Sequence, residues 1–303
     1  QPDLFRAARR FISIKEYLVH RLTGEYVVDW SMASATGMLN LEALDWDPVA
    51  LAVAGVGPER LSRPVATTHL LPGLKREYAD WLGLPAGVPL VVGAGDGPLA
   101  SLGSGTLEPG NMNCDIGTSG AIRSLSPRPV IHPRERTWCF CLDRETYVTG
   151  GIVASAGNVM RWWNEHYGQA ETDEARSLGC SPYDLWTRHA ATVPPGARGL
   201  LFLPFLTGEQ NPNWNRNARG VFFGLGLDHG RPEMARALME GIIFRIYSVY
   251  EALTEVSGTA TEIRLTGGFA RSSLWTQIQA DVFGRPMHLP EQTEGSAMGA
   301  AIL

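Results

Sequence analysis

One aspartate lies between glycines in a short segment that could carry catalysis, Gly93-Ala94-Gly95-Asp96-Gly97. The apolar, β-branched run 88–92 precedes it, and we predict a strand there that is buried on both faces. A helix-like segment follows, which places Asp96 at the carboxyl end of a strand, where open α/β sheets bind ligands. Its carboxylate could accept the proton of a substrate hydroxyl as a general base. The alternative is a plain turn, because aspartate between glycines often accepts hydrogen bonds from its own backbone.

Three glycine-rich segments in the later part of the chain are candidates for binding phosphate. They are Gly117-Thr118-Ser119-Gly120, then Thr149-Gly150-Gly151 with Gly157 beyond it, then Thr266-Gly267-Gly268 before a predicted helix. Glycine allows tight turns whose backbone N–H groups converge on an anion, and hydroxyl side chains add donors. Each segment alone could be an ordinary hairpin turn, but three beside predicted strands favour phosphate. Neither GxxxxGK[ST] nor GxGxxG occurs, so the P-loop and dinucleotide motifs are excluded.

Hydrophobic periodicity predicts helices and strands around these segments. The main predicted elements are helix 4–22 ending at Gly24, strands at 111–116, 119–124, 137–142 and 145–149, helices near 154–167 and 182–190, long helix 231–257, strand 262–266 and helix 272–283. The turn-rich stretch 107–110 suggests a boundary between two domains, 1–108 and 109–303.

Composition limits the classes of function. The chain has 303 residues, 44% of them apolar and 19% charged, which suits folded domains. Its net charge of −5 argues against a nucleic-acid partner, which needs a basic face. We recognise neither a membrane-length apolar run nor a signal peptide, so we expect a cytoplasmic protein without a membrane partner.

The four cysteines are expected to be small buried hydrophobic residues in a reducing compartment. No CxxC pair occurs among them; they are Cys114, Cys139, Cys141 and Cys180.

Along its whole length the chain resembles the FGGY family of carbohydrate kinases. The matching segments, in order, are Lys15-Glu16-Tyr17-Leu18, Arg21-Leu22-Thr23-Gly24, 29–37, Leu44-Asp45-Trp46, 93–97, the turn around Thr118, Gly157 with Arg161, 267–281 and 294–301. The stretch 267–281 looks like the family's most specific signature. So many matches in the family's order identify the chain as a member.

The resemblance implies an α/β fold of two ribonuclease H-like domains, as in actin and hexokinase, with a cleft between them. Residues 1–108 would be the remainder of a sugar-binding domain that is incomplete here, and 109–303 would bind the nucleotide. ATP and Mg²⁺ are the implied cofactors, and no residue is assigned as a metal ligand. Asp96 would be the base, and Asp96 and Gly97 would contact substrate. The residues implied to bind the nucleotide are Gly117, Thr118, Ser119, Gly120, Gly157, Arg161, Gly267, Gly268 and Ser272.

Two segments, 31–37 and 220–225, are most similar to the gluconate-phosphorylating branch of the family. The expected reaction is therefore ATP-dependent phosphorylation of a small sugar or sugar acid, with D-gluconate giving 6-phosphogluconate. Xylulose or another ketose or polyol is the alternative substrate. A catalytically silent sugar or nucleotide sensor and an actin-like assembly protein are alternatives of other classes. A homodimer is compatible with the sequence.

The chain departs from the family's pattern in two places. The family's opening segment is absent, with most of its sugar contacts, so we expect weak or no kinase activity from these 303 residues alone. Gln210 stands where relatives often have arginine, whose forked charge glutamine cannot replace. A lost surface or interdomain ion pair is the simpler interpretation, and altered handling of an anionic substrate is the functional one.

Overall fold

Short helices and strands make up the first part of the chain in the computed structural model, which describes residues 2–106, 108, 110–289 and 294–303. They are α1 (Pro2–Ala7), α2 (Ile14–Thr23), β1 (Val27–Asp29), α3 (Trp30–Ala35), β2 (Leu39–Asn40), β3 (Asp45–Trp46), α4 (Pro48–Ala54), β4 (Arg63–Val65), β5 (Leu70–Leu71), α5 (Arg76–Leu82), β6 (Leu90–Val91) and α6 (Asp96–Gly103). β1 pairs in parallel with β4, whereas β2–β3 and β5–β6 are antiparallel ribbons.

The second part of the chain is built on a six-stranded mixed sheet. Its elements are β7 (Asn111–Ile116), β8 (Gly120–Ser126), β9 (Trp138–Asp143), β10 (Thr146–Val153), α7 (Gly157–Tyr167), α8 (Gln169–Leu178), α9 (Pro182–Ala191), β11 (Leu201–Leu203), β12 (Val221–Phe223), α10 (Arg231–Ser257), β13 (Glu262–Thr266), α11 (Ser273–Phe283), β14 (Met287–His288) and α12 (Gly295–Ile302). The sheet order is β14-β13-β7-β8-β10-β9, in which β13 is parallel to both β7 and β14 and the remaining pairs are antiparallel.

Alternation along the strands gives this sheet one apolar and one polar face. Met112, Cys114 and Ile116 of β7 join the large core that also contains the buried side of α10. Asn113 and Asp115 alternate with them, so they project from the opposite face together with residues of β8 and β13. The polar face lies beneath α6, the helix that begins at Asp96.

The first and second parts of the chain are joined by close packing of small residues. α3 packs on the edge strand β9, and Ser34 Oγ accepts a hydrogen bond of 3.1 Å from the Cys141 N–H. Thr67 Oγ1 donates to the Leu142 carbonyl at 2.8 Å. The segment 31–35 therefore serves as an interface, because its small side chains let the helix approach the strand.

Several predicted elements are confirmed, and others are wrong. The long helix and strand 262–266 have the predicted bounds. The predicted helix 4–22 is two helices, because Ser13 and Glu16 form a capping box that starts α2. Gly24 ends α2 as predicted, with φ of 93°. The predicted strand 88–92 is reduced to two residues on a surface ribbon, and Val91 is 46% exposed, so it is not buried on both faces.

All four cysteines are free, as predicted, but only Cys114 and Cys141 are buried, whereas Cys139 and Cys180 are partly exposed. Burial raises the pKa of Cys114 and of Cys141 to about 12, so both thiols stay protonated near neutral pH. Within the described ranges, no helix combines the length and apolar character needed to cross a bilayer.

Candidate active site

Asp96 is the first residue of α6, and its side chain is exposed to solvent. Its Oδ1 accepts a hydrogen bond of 2.7 Å from the Gly97 N–H. The turn-forming role considered from sequence is thus real, and it also orients the carboxylate. The amino terminus of a helix favours a negative charge, which suits an ionised base.

Side chains from α2 and α3 brace the turn that carries Asp96. Lys15 Nζ donates to the Ala94 carbonyl at 3.2 Å and pairs with Asp29 Oδ2 at 2.6 Å. Ser31 Oγ accepts from the Gly95 N–H at 3.0 Å. Two of the segments that carry the family resemblance therefore act by holding this turn.

The last helix, α12, supports the same turn from the other side. Ser296 Oγ donates to the Asp96 carbonyl at 3.1 Å. Where α12 crosses α6, a Cβ on Gly299 would lie 2.0 Å from the Leu99 carbonyl oxygen, so only glycine allows this approach. The position of Asp96 thus depends on residues about two hundred positions later in the chain.

A cleft of about 740 Å³ lies among α7, α9 and the segment 268–275. Six of the residues predicted to bind the nucleotide line it: Gly117, Thr118, Gly157, Arg161, Gly268 and Ser272. Among the other predicted residues, Ser119 is exposed at the turn and Gly120 is buried against Ile246. Gly267 lines a smaller adjoining cavity of about 360 Å³.

The smaller cavity adjoins both the cleft and the turn of Asp96. Gly268 and Arg271 line both spaces. The smaller cavity extends to Ser296, the residue that bonds the Asp96 carbonyl, and includes the carboxylate residue Asp115. A phosphate chain lying across these two adjoining cavities would point from the cleft towards Asp96.

Gly157 brings α7 against the turn after β7. The Gly157 N–H donates to the Gly117 carbonyl at 3.0 Å, and the Asn158 N–H donates to the Thr118 carbonyl at 3.1 Å. A Cβ on Gly157 would lie 2.4 Å from the Gly117 oxygen and 2.9 Å from the Phe269 ring. A side chain at position 157 would therefore push the turn away from the helix.

One candidate phosphate turn is wrong. Gly150 and Gly151 lie inside strand β10. A Cβ on Gly150 would lie 2.4 Å from the Ile122 carbonyl oxygen, and one on Gly151 would lie 2.4 Å from Val249. These glycines allow close strand and helix packing instead of anion binding.

Sequence reasoning missed several residues that line the cleft. Arg188 and Arg271 add positive charge beside Arg161, and apolar side chains complete the wall: Met160, Met239, Phe269 and Trp275. The signature 267–281 contains Phe269, Arg271 and Trp275, so it could have identified them as candidates for this site. Arg188 comes from α9, which only folding brings to the cleft.

Arg123 was also missed, and it lies on the polar face of the sheet beneath α6. A chain of hydrogen bonds crosses three strands from it. Arg123 Nη1 donates to Asn113 Oδ1 (3.3 Å), Asn113 Nδ2 donates to Thr266 Oγ1 (3.1 Å), and the Thr266 hydroxyl donates to Asp115 Oδ1 (3.2 Å). Burial lowers the pKa of Arg123, and the negative charges of Asp115 and Asp96 oppose this effect.

Gln210 is exposed, and its neighbour Glu209 forms a buried ion pair of 2.9 Å with Arg245. This exposure agrees with the simpler interpretation of Gln210, in which replacing the arginine of relatives removes a surface ion pair.

Comparison with known proteins agrees with this architecture. The model for the C-terminal domain of the FGGY family of carbohydrate kinases matches residues 112–303, and the N-terminal domain model matches 1–103. A gluconokinase of Bacillus subtilis is 44% identical over the whole chain. The structures of a gluconate kinase and a xylulose kinase from Lactobacillus acidophilus each superpose on 99% of the chain at a TM-score of 0.89 and 35% identity.

The chain spans about 59% of the length of each of these relatives. The two-domain fold of the actin and hexokinase type is confirmed as the fold class by these superpositions. Because the C-terminal family model alone covers more than half of the residues, the chain belongs to the FGGY family of carbohydrate kinases.

Proposed function

We propose that this chain carries the base and the nucleotide site of an ATP-dependent kinase that converts D-gluconate to 6-phosphogluconate. The observation that carries the proposal is that the cleft and the smaller cavity share Gly268 and Arg271, and that the smaller cavity is lined by Ser296, which bonds the Asp96 carbonyl. Gluconate is favoured over xylulose because identity is 44% to the gluconokinase of Bacillus subtilis and 28% to the xylulose kinase of the same species.

Asp96 would accept the proton of the attacking hydroxyl as the new bond to phosphorus forms. The Gly97 N–H holds Oδ1, so the carboxylate has a fixed direction. Lys15, Ser31 and Ser296 hold the backbone of the turn, and this preorganisation is what positioning in phosphoryl transfer requires.

The residues of the cleft fit ATP. Its volume, about 740 Å³, is within the range of small-molecule sites. Arg161, Arg188 and Arg271 suit phosphate oxygens. The apolar wall that includes Phe269 and Trp275 suits the flat adenine ring. Gly117 to Gly120 and Gly267 to Ser272 would hold the phosphates and the adenosine.

The smaller cavity fits Mg²⁺ carried in by the nucleotide. Asp115 and Glu294 are the carboxylate residues that line it, with Asp115 beside the Gly267-Gly268 turn, and carboxylate oxygen is a ligand that Mg²⁺ accepts. When bound, the ion would neutralise charge between the phosphates.

A substrate panel tests the reaction. D-gluconate, xylulose, ribulose, glycerol and fuculose are each supplied with MgATP, and ADP release is measured. The assay uses the present chain and a version extended at its amino terminus with the corresponding segment of the Bacillus subtilis relative. We expect gluconate to be the best substrate and the extended chain to be the more active. Preference for xylulose would favour the alternative substrate, and ATP binding without ADP release from the extended chain would favour a sensor.

Asp96→Asn should abolish turnover and leave ATP affinity close to normal, because the amide cannot accept the proton but keeps the shape. Asp80→Asn is the matched control, since the Asp80 side chain is 71% exposed on α5. Turnover that survives Asp96→Asn would show that Asp96 is not the base.

A further inference from the structure

Arg123 extends from the middle of β8 to the first turn of α6, and only 8% of the residue is exposed. A Cβ on Gly97 would lie 3.3 Å from Arg123 Nε and 3.4 Å from Nη2, so the guanidinium lies directly against the residue that follows Asp96. Its Nε is buried and has no hydrogen-bond partner among the described residues. A buried donor left unpaired is unfavourable, which makes a purely structural explanation weak.

The other side of the guanidinium is anchored. Nη1 begins the chain through Asn113 and Thr266 that ends on the Asp115 carboxylate. Every donor in this chain points the same way, from the cation to the anion, so each hydroxyl and amide orientation is determined. Arg123 is therefore held from the side of the smaller cavity while its free edge faces the catalytic turn.

The charges around Arg123 also link it to Asp96 and Asp115. No carboxylate of the described residues forms an ion pair with it within 4.0 Å, and the carboxylates that act on it most are Asp115 and Asp96. The amino terminus of α6 carries a partial positive charge, and the guanidinium of Arg123 lies beside it. The negative charge of Asp96 at the start of α6 offsets both of these positive charges.

We propose that Arg123 is a positioning residue for Asp96: it supports the first turn of α6 from beneath Gly97 and so helps to hold the base in place. This proposal rests on the proposed role of Asp96. The other charged groups on the elements packed around the turn are Lys15 and Asp29 on the first part of the chain, Asp115 on β7, and Arg271 and Glu294 beside the smaller cavity.

Arg264 provides a matched control. It lies on the same polar face and donates to the Ser104 carbonyl at 2.9 Å, just past the other end of α6. It also pairs with Glu262 at 2.6 Å. Arg264→Met should thus loosen the far end of the helix without removing charge beside Asp96.

The experiment compares Arg123→Met, Arg123→Lys and Arg264→Met with the wild type in the extended, gluconate-active chain. We expect Arg123→Met to lower kcat by roughly 10- to 100-fold, within what a general base contributes. KM for ATP should change by less than about twofold, because the cleft residues are untouched. Arg123→Lys keeps the charge and should restore only part of kcat, because lysine lacks the planar fork.

Equal losses of kcat in Arg123→Met and Arg264→Met, with no recovery of kcat in Arg123→Lys, would overturn the proposal. If the wild type itself shows no sugar-dependent ADP release, the proposed function fails, and hydrogen exchange then tests Arg123 alone. Amides 97 and 99–100 should exchange faster in Arg123→Met than in the wild type or in Arg264→Met. Unchanged exchange there would also overturn it. Arg123→Lys replaces Arg123→Met in this comparison if the methionine variant does not fold.

Discussion

Gly103 of α6 and Gly295 of α12 touch through their backbones: a Cβ on Gly103 would lie 1.9 Å from the Gly295 carbonyl oxygen. One turn further along α12, a Cβ on Gly299 would lie 2.0 Å from the Leu99 oxygen. The helix that begins with the proposed base is therefore clamped by the last described helix of the chain. The Ala/Gly-rich composition of 294–301 is explained by this crossing.

Gly103→Ala and Gly299→Ala should each separate the two helices, because a methyl group cannot share space with a backbone carbonyl. Overpacking of this kind costs about 1–3 kcal/mol in the free energy of unfolding. We expect a lower melting temperature and, since Ser296 would no longer reach the Asp96 carbonyl, a lower kcat.

Gly295→Ala is the graded control for these two changes. Its Cβ would lie 3.2 Å from the Ala100 oxygen, a contact that a small shift relieves. Alanine also favours a helix over glycine by about 1 kcal/mol, which offsets the contact. Equal melting temperatures for all three variants would contradict the close crossing.

Two glycines of the cleft should respond differently to alanine. Gly157→Ala would place a methyl group 2.4 Å from the Gly117 oxygen, so we expect loss of both stability and ATP affinity. At Gly268 the added Cβ meets no atom within 4 Å, so Gly268→Ala should keep the wild-type melting temperature. Its methyl group would enter the cleft where the nucleotide is proposed to lie, and ATP should bind more weakly.

Calorimetric titration with ATP, together with thermal melting, separates these outcomes. Wild-type ATP affinity in Gly268→Ala would show that the nucleotide does not lie on this residue. A wild-type melting temperature in Gly157→Ala would show that α7 and the turn after β7 are not in contact as described.

The turns at Asp96, Thr118 and Gly268 could be located from sequence because glycine and hydroxyl residues mark them locally. The sequence also predicts a helix after this turn, but in the structure that helix begins at Asp96 itself, and the strand before it belongs to a two-stranded ribbon and not to the large sheet. Arg123 and Asp115 could not be found this way. Both lie on strands whose alternation shows a buried polar face, but not which helices cover it. α6 provides that cover, and α12, the helix that packs on α6, lies about two hundred positions later in the chain.

The predicted helix 4–22 failed for a related reason. Its apolar residues continue at helical spacing across the break, so periodicity alone extends one helix through both segments. The local capping box of Ser13 and Glu16 starts a new helix there. The predicted phosphate turn at Gly150 and Gly151 was wrong for a different reason. Glycine permits close packing inside a sheet as readily as it permits a turn.

Glu255, near the end of α10, lies among three basic side chains. His132 Nε2 lies 3.1 Å from its Oε2, and the guanidinium groups of Arg134 and Arg136 both donate to its carboxylate. The hydrogen bond from Arg134, helped by the charge of Arg136, holds the pKa of Glu255 below its usual value of 4.5. These contacts tie the loop after β8 to the long helix.

A carboxyl whose pKa is depressed in the folded state adds stability above its unfolded pKa and loses it as the pH falls through the folded value. Glu255→Gln should therefore be less stable than the wild type at neutral pH. The difference should shrink as the pH falls below about 4.5, where the carboxyl of the unfolded chain begins to be protonated, and should be lost as the pH falls through the lower pKa of the folded state. Urea unfolding of both proteins at pH 7, 5, 4 and 3.5 measures it, and Glu251→Gln, one helical turn earlier on the same helix, is the control. A difference that stays constant over this range would mean that the charge of Glu255 does not stabilise the loop.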